Sequence, residues 1–315
     1  MSEFKVLCNI SVKHLPGIKK LLSEIGRVDY RSYNYQNLKK AIARYNVLIP
    51  SLNVMLDQDL LCKGTRLKLI ATPSTGIDHI NLAAAEKMGI KVISLKGDVR
   101  FLKTVTATAE HTFGLLLALI RRTPFAFASV QKGHWNSAGF RGVELRGKKL
   151  GIIGYGRLGK MVARYGRAFE MTVAAYDPYR KTGRGPVKQV GLETLLRNSD
   201  IISLHVPLNR ETRKLIAARE FSLMKRGSFL LNTSRGAVID EAALLAQLEN
   251  GRLAGAALDV LAEELLGKIK ENPLVKYSRT HQNLLITPHL GGVTGESQAK
   301  AFRHIIRKIR DYLPA

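Results

Sequence analysis

Leu-Gly-Ile-Ile-Gly-Tyr-Gly-Arg-Leu-Gly, residues 150–159, is the stretch that decides the fold. Its apolar start predicts a buried strand, and the residues after it predict a helix. The pattern Gly154-x-Gly156-x-x-Gly159 lies at the junction. In this context the first glycine makes a tight turn, the second lets the backbone approach a pyrophosphate, and the third lets the helix pack closely on the strand. We therefore predict a dinucleotide site with the phosphates at the start of the helix.

Asp177 lies at the end of the next predicted strand, 23 residues after the first glycine. A carboxylate at this position bonds the adenosine ribose hydroxyls and repels a 2′-phosphate, so we expect NAD to be favoured over NADP. Arg180 and Lys181 follow closely and would soften that discrimination.

Short apolar runs alternate with helical patterns on both sides of this stretch. The alternation predicts an α/β fold with two doubly wound parallel-sheet (Rossmann-like) domains and a ligand cleft between them. Strands are predicted at residues 5–10, 47–49, 67–71, 91–95, 150–153, 172–176, 201–206, 229–232, 255–260 and 283–287. Helices are predicted at residues 15–25, 81–88, 104–122, 157–168, 219–224, 241–249 and 295–313.

The composition is that of a globular protein: the chain has 315 residues, of which 45% are hydrophobic and 24% charged. No apolar run reaches the roughly 18 residues of a membrane span, and the N-terminus has no signal-peptide pattern. Cys8 and Cys62 lie in apolar sequence and are expected to be buried thiols. We expect a cytoplasmic protein. The net charge of +25 is spread along the chain, so we expect it to attract small anions and not to mark a nucleic-acid site.

Three polar side chains follow predicted strands of the second domain: Arg235, Glu264 and His289. Carboxyl ends of strands in such sheets face the ligand crevice. Taken alone, each residue could have a role without chemistry: the histidine could be structural and the arginine could be a solvated surface residue. The three together, behind a dinucleotide fingerprint, predict a catalytic group. No metal site is predicted, because His205, His281 and His289 lack cysteine or carboxylate partners at ligand spacing.

The chain resembles the D-isomer-specific 2-hydroxyacid dehydrogenase family over nearly its whole length. The matching stretches are residues 151–159, 176–178, 203–208, 232–236, 258–260 with Glu264 beyond, and 287–292. The resemblance implies an NAD-binding Rossmann domain, residues 102–290, inserted into a flavodoxin-like substrate domain, residues 1–101 plus 291–315. It also implies a homodimer built on the cofactor domain, to which residues 104–122 and 133–135 would contribute.

The resemblance also implies a role for each site residue. Reduction of a 2-oxo acid needs a cation, a proton donor and a hydride; Arg235 would bind the substrate, and His289 would be the general acid, with Glu264 orienting its ring. Asp259 would bond the nicotinamide carboxamide of NAD(H), which supplies the hydride. The implied cofactor contacts are Thr108, Gly154, Gly156, Arg157, Leu158, Gly159, Asp177, His205, Val206, Pro207, Thr212, Thr233, Ser234, Asp259 and Gly291.

Residues 74–78 resemble the family's carboxylate-binding loop, in which the backbone N–H groups of Ser74, Thr75 and Gly76 would hold the substrate acid together with Arg235. The loop departs from the family's usual Gly-x-Gly-x-Asp-Asn form, because Ser74 replaces a glycine and His79 replaces the asparagine. These changes leave the identity of the 2-hydroxy acid open.

We predict an NAD-dependent oxidoreductase that acts on a CH–OH group and interconverts a small 2-hydroxy acid and its 2-oxo acid. The alternative from another class is an NAD-sensing regulatory protein of the C-terminal-binding corepressor type, which shares this fold. The basic net charge is the feature that keeps this alternative under consideration. Arg235, Glu264 and His289 do not separate the two, because such regulators retain these residues.

Overall fold

The structure is a computed structural model that describes residues 4–313. Its strands are β1 (Lys5–Cys8), β2 (Arg27–Tyr30), β3 (Val47–Ile49), β4 (Leu69–Ala71), β5 (Lys91–Ile93), β6 (Lys149–Ile153), β7 (Thr172–Tyr176), β8 (Lys188–Gln189), β9 (Ile201–Leu204), β10 (Ser228–Asn232), β11 (Leu253–Leu258) and β12 (Leu284–Ile286). Its α-helices are α1 (Ile18–Ser23), α2 (Tyr35–Ala41), α3 (Gln58–Leu61), α4 (Leu82–Lys87), α5 (Val99–Leu102), α6 (Ala107–Ile120), α7 (Thr123–Gln131), α8 (Arg157–Ala168), α9 (Leu192–Asn198), α10 (Ala218–Leu223), α11 (Glu241–Glu249), α12 (Pro273–Ser278) and α13 (Gly295–Tyr312).

The chain divides into two compact units, and the second is inserted into the first. The described residues up to Val105 and from Val293 onwards form the first unit, and Thr106–Gly292 form the second. The transitions lie a few residues beyond the predicted positions 101 and 290. The first unit extends past residue 101 because Phe101 and Leu102 pack against its core.

The sheet of the first unit has the strand order β2-β1-β3-β4-β5, and all of its strand pairs are parallel. This is the flavodoxin-like order of a doubly wound sheet. Side chains alternate between two cores along β1: Val6 and Cys8 point into one, and Leu7 points into the other. The inner strands β3 and β4 are apolar throughout because both faces of the sheet are covered.

The sheet of the second unit has the order β12-β11-β10-β9-β6-β7-β8, again with parallel pairs. It contains the 3-2-1-4-5-6 order of dinucleotide-binding folds, with the order reversing between β6 and β9. The prediction of two doubly wound parallel sheets is confirmed. The polar or glycine residues beyond the strand ends are Gly154 after β6, Asp177 after β7, His205 after β9, Thr233 after β10, Asp259 after β11 and Thr287 after β12.

Exposure corrects one expectation about the thiols. Cys8 is buried, and burial raises its pKa to about 11. Cys62 is exposed, so the expectation of a second buried thiol is wrong. Cys62 stands just beyond the end of α3, where Leu60 and Leu61 take up the core positions.

Within residues 4–313 no single helix is both long enough and apolar enough to cross a membrane. Two stretches bent by 63°, Val99–Ile120 and Thr123–Gln131, satisfy the criterion of length and composition only when they are taken together.

Candidate active site

The three glycines of the fingerprint have the local geometry that a dinucleotide needs. Gly154 is left-handed (φ +94°), and a Cβ there would lie 2.6 Å from the backbone oxygen of His205. A Cβ on Gly159 would lie 2.1 Å from the oxygen of Gly154, so α8 packs directly on the turn. Gly156 caps α8, and a Cβ there would meet nothing within 4 Å beyond its chain neighbours and the backbone of its own helix. The helix start is therefore close-packed at Gly159 and open at Gly156.

The next two predicted contacts, Arg157 and Leu158, form the first turn of α8. Burial lowers the pKa of the Arg157 guanidinium. Leu158 packs against the core that includes β6 and α6. Arg157 therefore begins the helix directly after Gly156, and Leu158 anchors the turn to the core.

Asp177 is held beside this turn by backbone donors. Its carboxylate accepts the N–H of Tyr155 at 2.8 Å, of Tyr179 at 2.9 Å and of Arg180 at 3.0 Å. The bond from Tyr155 joins the end of β7 to the fingerprint itself. The carboxylate is thus fixed where the ribose of a dinucleotide on this turn would lie.

His205 closes the other side of the turn. Its Nε2 lies 2.8 Å from Ser203 Oγ, and its buried Nδ1 has no hydrogen-bond partner within residues 4–313. Burial lowers the pKa of His205 to about 4, so the ring is neutral at cellular pH. Thr212 Oγ1 donates to the oxygen of Pro207 at 2.6 Å and closes the loop that begins with Val206.

Asn232 shapes the turn that carries Arg235. Its Oδ1 accepts from the backbone N–H of Ser234 at 3.0 Å and from Ser234 Oγ at 2.7 Å, and its Nδ2 donates to the oxygen of Arg235 at 2.9 Å. Thr233 Oγ1 lies 2.8 Å from Thr112 Oγ1. The Asn232 side chain thereby takes the place of backbone hydrogen-bond partners in the turn. Arg235 is half-buried, and its Nη1 donates to the backbone oxygen of Ser234.

His289 and Glu264 form a direct pair. His289 Nδ1 lies 2.7 Å from Glu264 Oε1, and the other carboxylate oxygen accepts the backbone N–H of Leu261 at 3.2 Å. The hydrogen bond that His289 donates to Glu264 raises the pKa of His289 against the opposing effect of burial. Arg235 is near enough that its charge lowers the same pKa. The structure therefore brings all three predicted catalytic residues into one neighbourhood.

Asp259 has a role that the sequence does not suggest. It is 1% exposed, and its Oδ1 accepts from Thr287 Oγ1 at 2.6 Å and from the backbone N–H of Leu290 at 2.7 Å. Its Oδ2 accepts the N–H of Gly291 at 2.7 Å. Asp259 therefore anchors the loop that carries His289, and its bond to a nicotinamide carboxamide stays a prediction.

The remaining predicted residues lie in two places. Thr108 is on α6, with its Cγ2 3.1 Å from where a Cβ on Gly291 would lie. Ser74, Thr75 and Gly76 lie in the first unit, where Ser74 Oγ donates to the oxygen of Gly76 at 2.7 Å. Across residues 4–313 the backbone N–H groups of Thr75 and Gly76 find no acceptor, so they are available to an anion.

Sequence reasoning misses His111, Thr112 and Thr287, each of which bonds a residue of the site. A signal was present, because residues 108, 111 and 112 lie on one face of a helix. Among the described residues no group of three His, Cys, Asp or Glu side chains could hold a metal ion.

The fold and this arrangement define a dinucleotide-binding α/β protein with a hydrogen-bonded His–Glu pair at the carboxyl edge of its sheet. The family model for the NAD binding domain of D-isomer specific 2-hydroxyacid dehydrogenases matches residues 113–291. The chain belongs to the D-isomer-specific 2-hydroxyacid dehydrogenase family, as its sequence predicts.

The chain is similar to proteins with several named activities. It is 38% identical over 266 residues to D-3-phosphoglycerate dehydrogenase of Archaeoglobus fulgidus, covering 84% of this chain and 48% of that protein. It is 36% identical to hydroxypyruvate reductase of Thermotoga maritima, covering 86% of each. D-lactate dehydrogenase from Aquifex aeolicus, solved with NAD and lactic acid, superposes with a TM-score of 0.84 at 30% identity, covering 98% of this chain and 95% of that one. The chain spans about half the length of the phosphoglycerate dehydrogenases it matches.

NAD is the cofactor of the matched domain, and the residues present fit it. The open helix start at Gly156 suits a pyrophosphate, and the Asp177 carboxylate suits a ribose diol. The buried Nδ1 of His205 beside the same turn has no hydrogen-bond partner within residues 4–313 and could bond a cofactor atom.

Proposed function

We propose that this chain is an NAD-dependent dehydrogenase that interconverts a small D-2-hydroxy acid and its 2-oxo acid. The His289–Glu264 pair carries the proposal, because it stands in the same unit as the dinucleotide fingerprint and beside Arg235. The named relatives are dehydrogenases and reductases. No observation on the described residues favours the corepressor alternative.

The chain's own residues supply the proton and the positive charge. Glu264 holds His289 Nδ1, so Nε2 is the atom that donates a proton to the carbonyl oxygen or removes it from the hydroxyl. The raised pKa keeps more of the ring protonated near neutral pH, which favours 2-oxo acid reduction. Arg235 polarises the carbonyl with its guanidinium. NADH, when bound, supplies the hydride to the carbonyl carbon.

The substrate carboxylate would bind the free backbone N–H groups of Thr75 and Gly76 in the first unit. Relatives are named for phosphoglycerate, hydroxypyruvate and glyoxylate. The shared chemistry of these compounds is a small acid with oxygen on C2, and this defines the proposed substrate class.

The direct test is NADH oxidation by the purified chain with glyoxylate, hydroxypyruvate, pyruvate and phosphohydroxypyruvate, followed by the reverse reaction with each enantiomer of the chiral 2-hydroxy acids. We expect turnover with at least one of them and oxidation of the D form alone. His289→Ala should lower kcat roughly a hundredfold or more with NADH affinity retained. The matched control is His281→Ala, which removes an exposed ring stacked on Tyr277. Failure of every 2-oxo acid, or an equal loss in the control, would count against the proposal.

We further propose a homodimer formed through the cofactor-binding unit. The exposed apolar side chains Phe127 and Val130 on α7 and Trp135 just beyond it support this, since Trp135 is 91% exposed. Phe127 and Val130 are three residues apart and lie on one face of α7, and exposed apolar patches commonly mark protein interfaces. A second copy of the chain is the proposed occupant.

We also propose that the enzyme is cytoplasmic. Cys8 and Cys62 are both free thiols, which suits a reducing compartment. Immunodetection in fractionated cells would test the location, and recovery outside the cytoplasm would contradict it.

A further inference from the structure

One face of α6 reaches both loops of the acid–base site. Thr112 Oγ1 donates to the backbone oxygen of Thr108 at 2.7 Å and lies 2.8 Å from Thr233 Oγ1, in the turn that carries Arg235. His111, one residue earlier, faces the other loop, at the ends of β11 and β12. Its Nε2 lies 3.2 Å from Asp259 Oδ1 and 3.1 Å from Thr287 Oγ1.

The hydrogen-bond partners determine which atom of His111 carries the proton. Thr287 Oγ1 donates its only hydrogen to Asp259 Oδ1 at 2.6 Å, so it can only accept a hydrogen bond from His111. Burial alone would raise the pKa of Asp259. The hydrogen bonds that His111, Thr287 and two backbone N–H groups donate outweigh burial, so the pKa lies below its usual value. The carboxylate is therefore ionised and can only accept hydrogen bonds. His111 Nε2 must therefore be the donor in this three-membered group.

Asp259, to which His111 and Thr287 both donate, anchors the loop that carries His289. Asp259 accepts the N–H groups of Leu290 and Gly291 through its side chain and the N–H of His289 through its backbone oxygen at 3.0 Å. His289 itself is left-handed (φ +57°), a conformation that a residue with a Cβ rarely adopts. These bonds hold it there, because an unusual backbone conformation persists only where its surroundings specify it.

We propose that His111 is a positioning residue that, through its Nε2–H donor to Asp259 and Thr287, fixes the loop that aims the His289 ring. This role rests on the proposed dehydrogenase function. Within residues 4–313 the hydrogen bonds of the His111 side chain go to Asp259 and Thr287, not to Glu264 or His289, so it acts through the loop. Preorganisation of this kind affects turnover more than cofactor affinity.

The test compares His111→Leu, which removes the donor, with His111→Gln, whose amide can still donate to Asp259. With the best 2-oxo acid, His111→Leu should lower kcat roughly tenfold to a hundredfold, while NADH affinity stays within about twofold. His111→Gln should recover most of the lost turnover. The matched control is Glu110→Gln, on the exposed side of the same helix, which should leave kcat unchanged.

Thr287→Val completes a double-mutant cycle with His111→Leu. If both act through Asp259, the double variant should lose less than the product of the two single losses. Independent, multiplicative losses would contradict the shared anchor. Should His111→Leu fail to fold, His111→Gln and Thr287→Val still decide the matter through the same kinetics.

Hydrogen exchange separates this inference from the proposed function. The amides of Leu290 and Gly291, which donate to Asp259, should exchange faster in His111→Leu than in wild type or Glu110→Gln, whether or not a substrate is turned over. A wild-type chain inactive on every 2-oxo acid would overturn the proposed function. An active wild type with unchanged kcat and unchanged exchange in His111→Leu would overturn the positioning role alone.

Discussion

Alanine substitutions at Gly156 and Gly159 should have opposite effects on binding and stability. Both residues belong to one fingerprint, yet a Cβ meets nothing within 4 Å at Gly156 beyond its neighbours and the backbone of its own helix, and a backbone oxygen at 2.1 Å at Gly159. The first position tests the space reserved for the dinucleotide, and the second tests the packing of α8 on β6.

The magnitudes follow from those distances. At Gly159 the methyl carbon must retreat by about 1 Å or more to reach van der Waals contact, and overpacking of this kind costs about 1–3 kcal/mol. For a unit of this size each kcal/mol lowers Tm by roughly 2–4 °C, so Gly159→Ala should lose about 2–12 °C. At Gly156 the backbone suits alanine (φ −77°), so stability should change by less than about 1 kcal/mol.

Gly156→Ala should instead weaken NADH binding. If the methyl group occupies the place of the pyrophosphate, the same packing cost of about 1–3 kcal/mol raises Kd roughly five- to 150-fold. Calorimetric titration with NADH and a thermal scan on each variant measure the two effects. Gly191→Ala is the matched control, since Gly191 also caps a helix with extended backbone and open space around it. Unchanged NADH affinity in Gly156→Ala would refute this location for the phosphates.

Further predictions concern the acid–base pair, the ribose contact and the dimer. Glu264→Gln keeps an acceptor for His289 Nδ1 but removes the carboxylate charge that helps to raise the pKa of His289; because the imidazolium is lost as pH rises through that pKa, kcat for reduction should decline at a lower pH than in wild type, measured over about pH 5 to 9. An unmoved profile would mean that another group donates the proton. Asp177→Asn removes the charge and keeps only one of the two acceptor oxygens that the backbone donors use, so the ratio of kcat/KM for NAD over NADP should fall roughly tenfold; a wild-type preference for NADP would contradict the ribose assignment. Trp135 is the single tryptophan, so its emission should shift to the blue as concentration drives dimerisation, and a constant spectrum from a dimer would place the interface elsewhere.

Local sequence was enough for elements with strong signals at their ends. The predicted bounds of β3, β7, α8 and α11 agree with the structure. α8 begins directly after the capping Gly156, and Asp240 caps α11 by accepting the N–H of Ala243. These signals act within a few residues, so they need no tertiary context.

Elements with weak local signals could not be predicted. The sequence does not indicate β2 or α9. β2 is an edge strand without a fully buried residue, so it lacks the apolar pattern of the central strands. α9 follows Gly191, which offers no capping side chain. Both elements form because the neighbouring sheet and helices provide partners.

The sequence by itself determined the residue types of the site, their order along the chain and their positions after strand ends. Only the tertiary structure decided that His289 meets Glu264 at 2.7 Å, that Asp259 is already occupied by its own loop, and that His111 supplies a donor to it. The apolar pattern of α6 conceals His111, whose partners are 148 and 176 residues away. Hydrogen bonds between such distant residues require atoms placed to within a few tenths of an ångström, and that placement comes from the packing of helix on sheet rather than from any local stretch of chain.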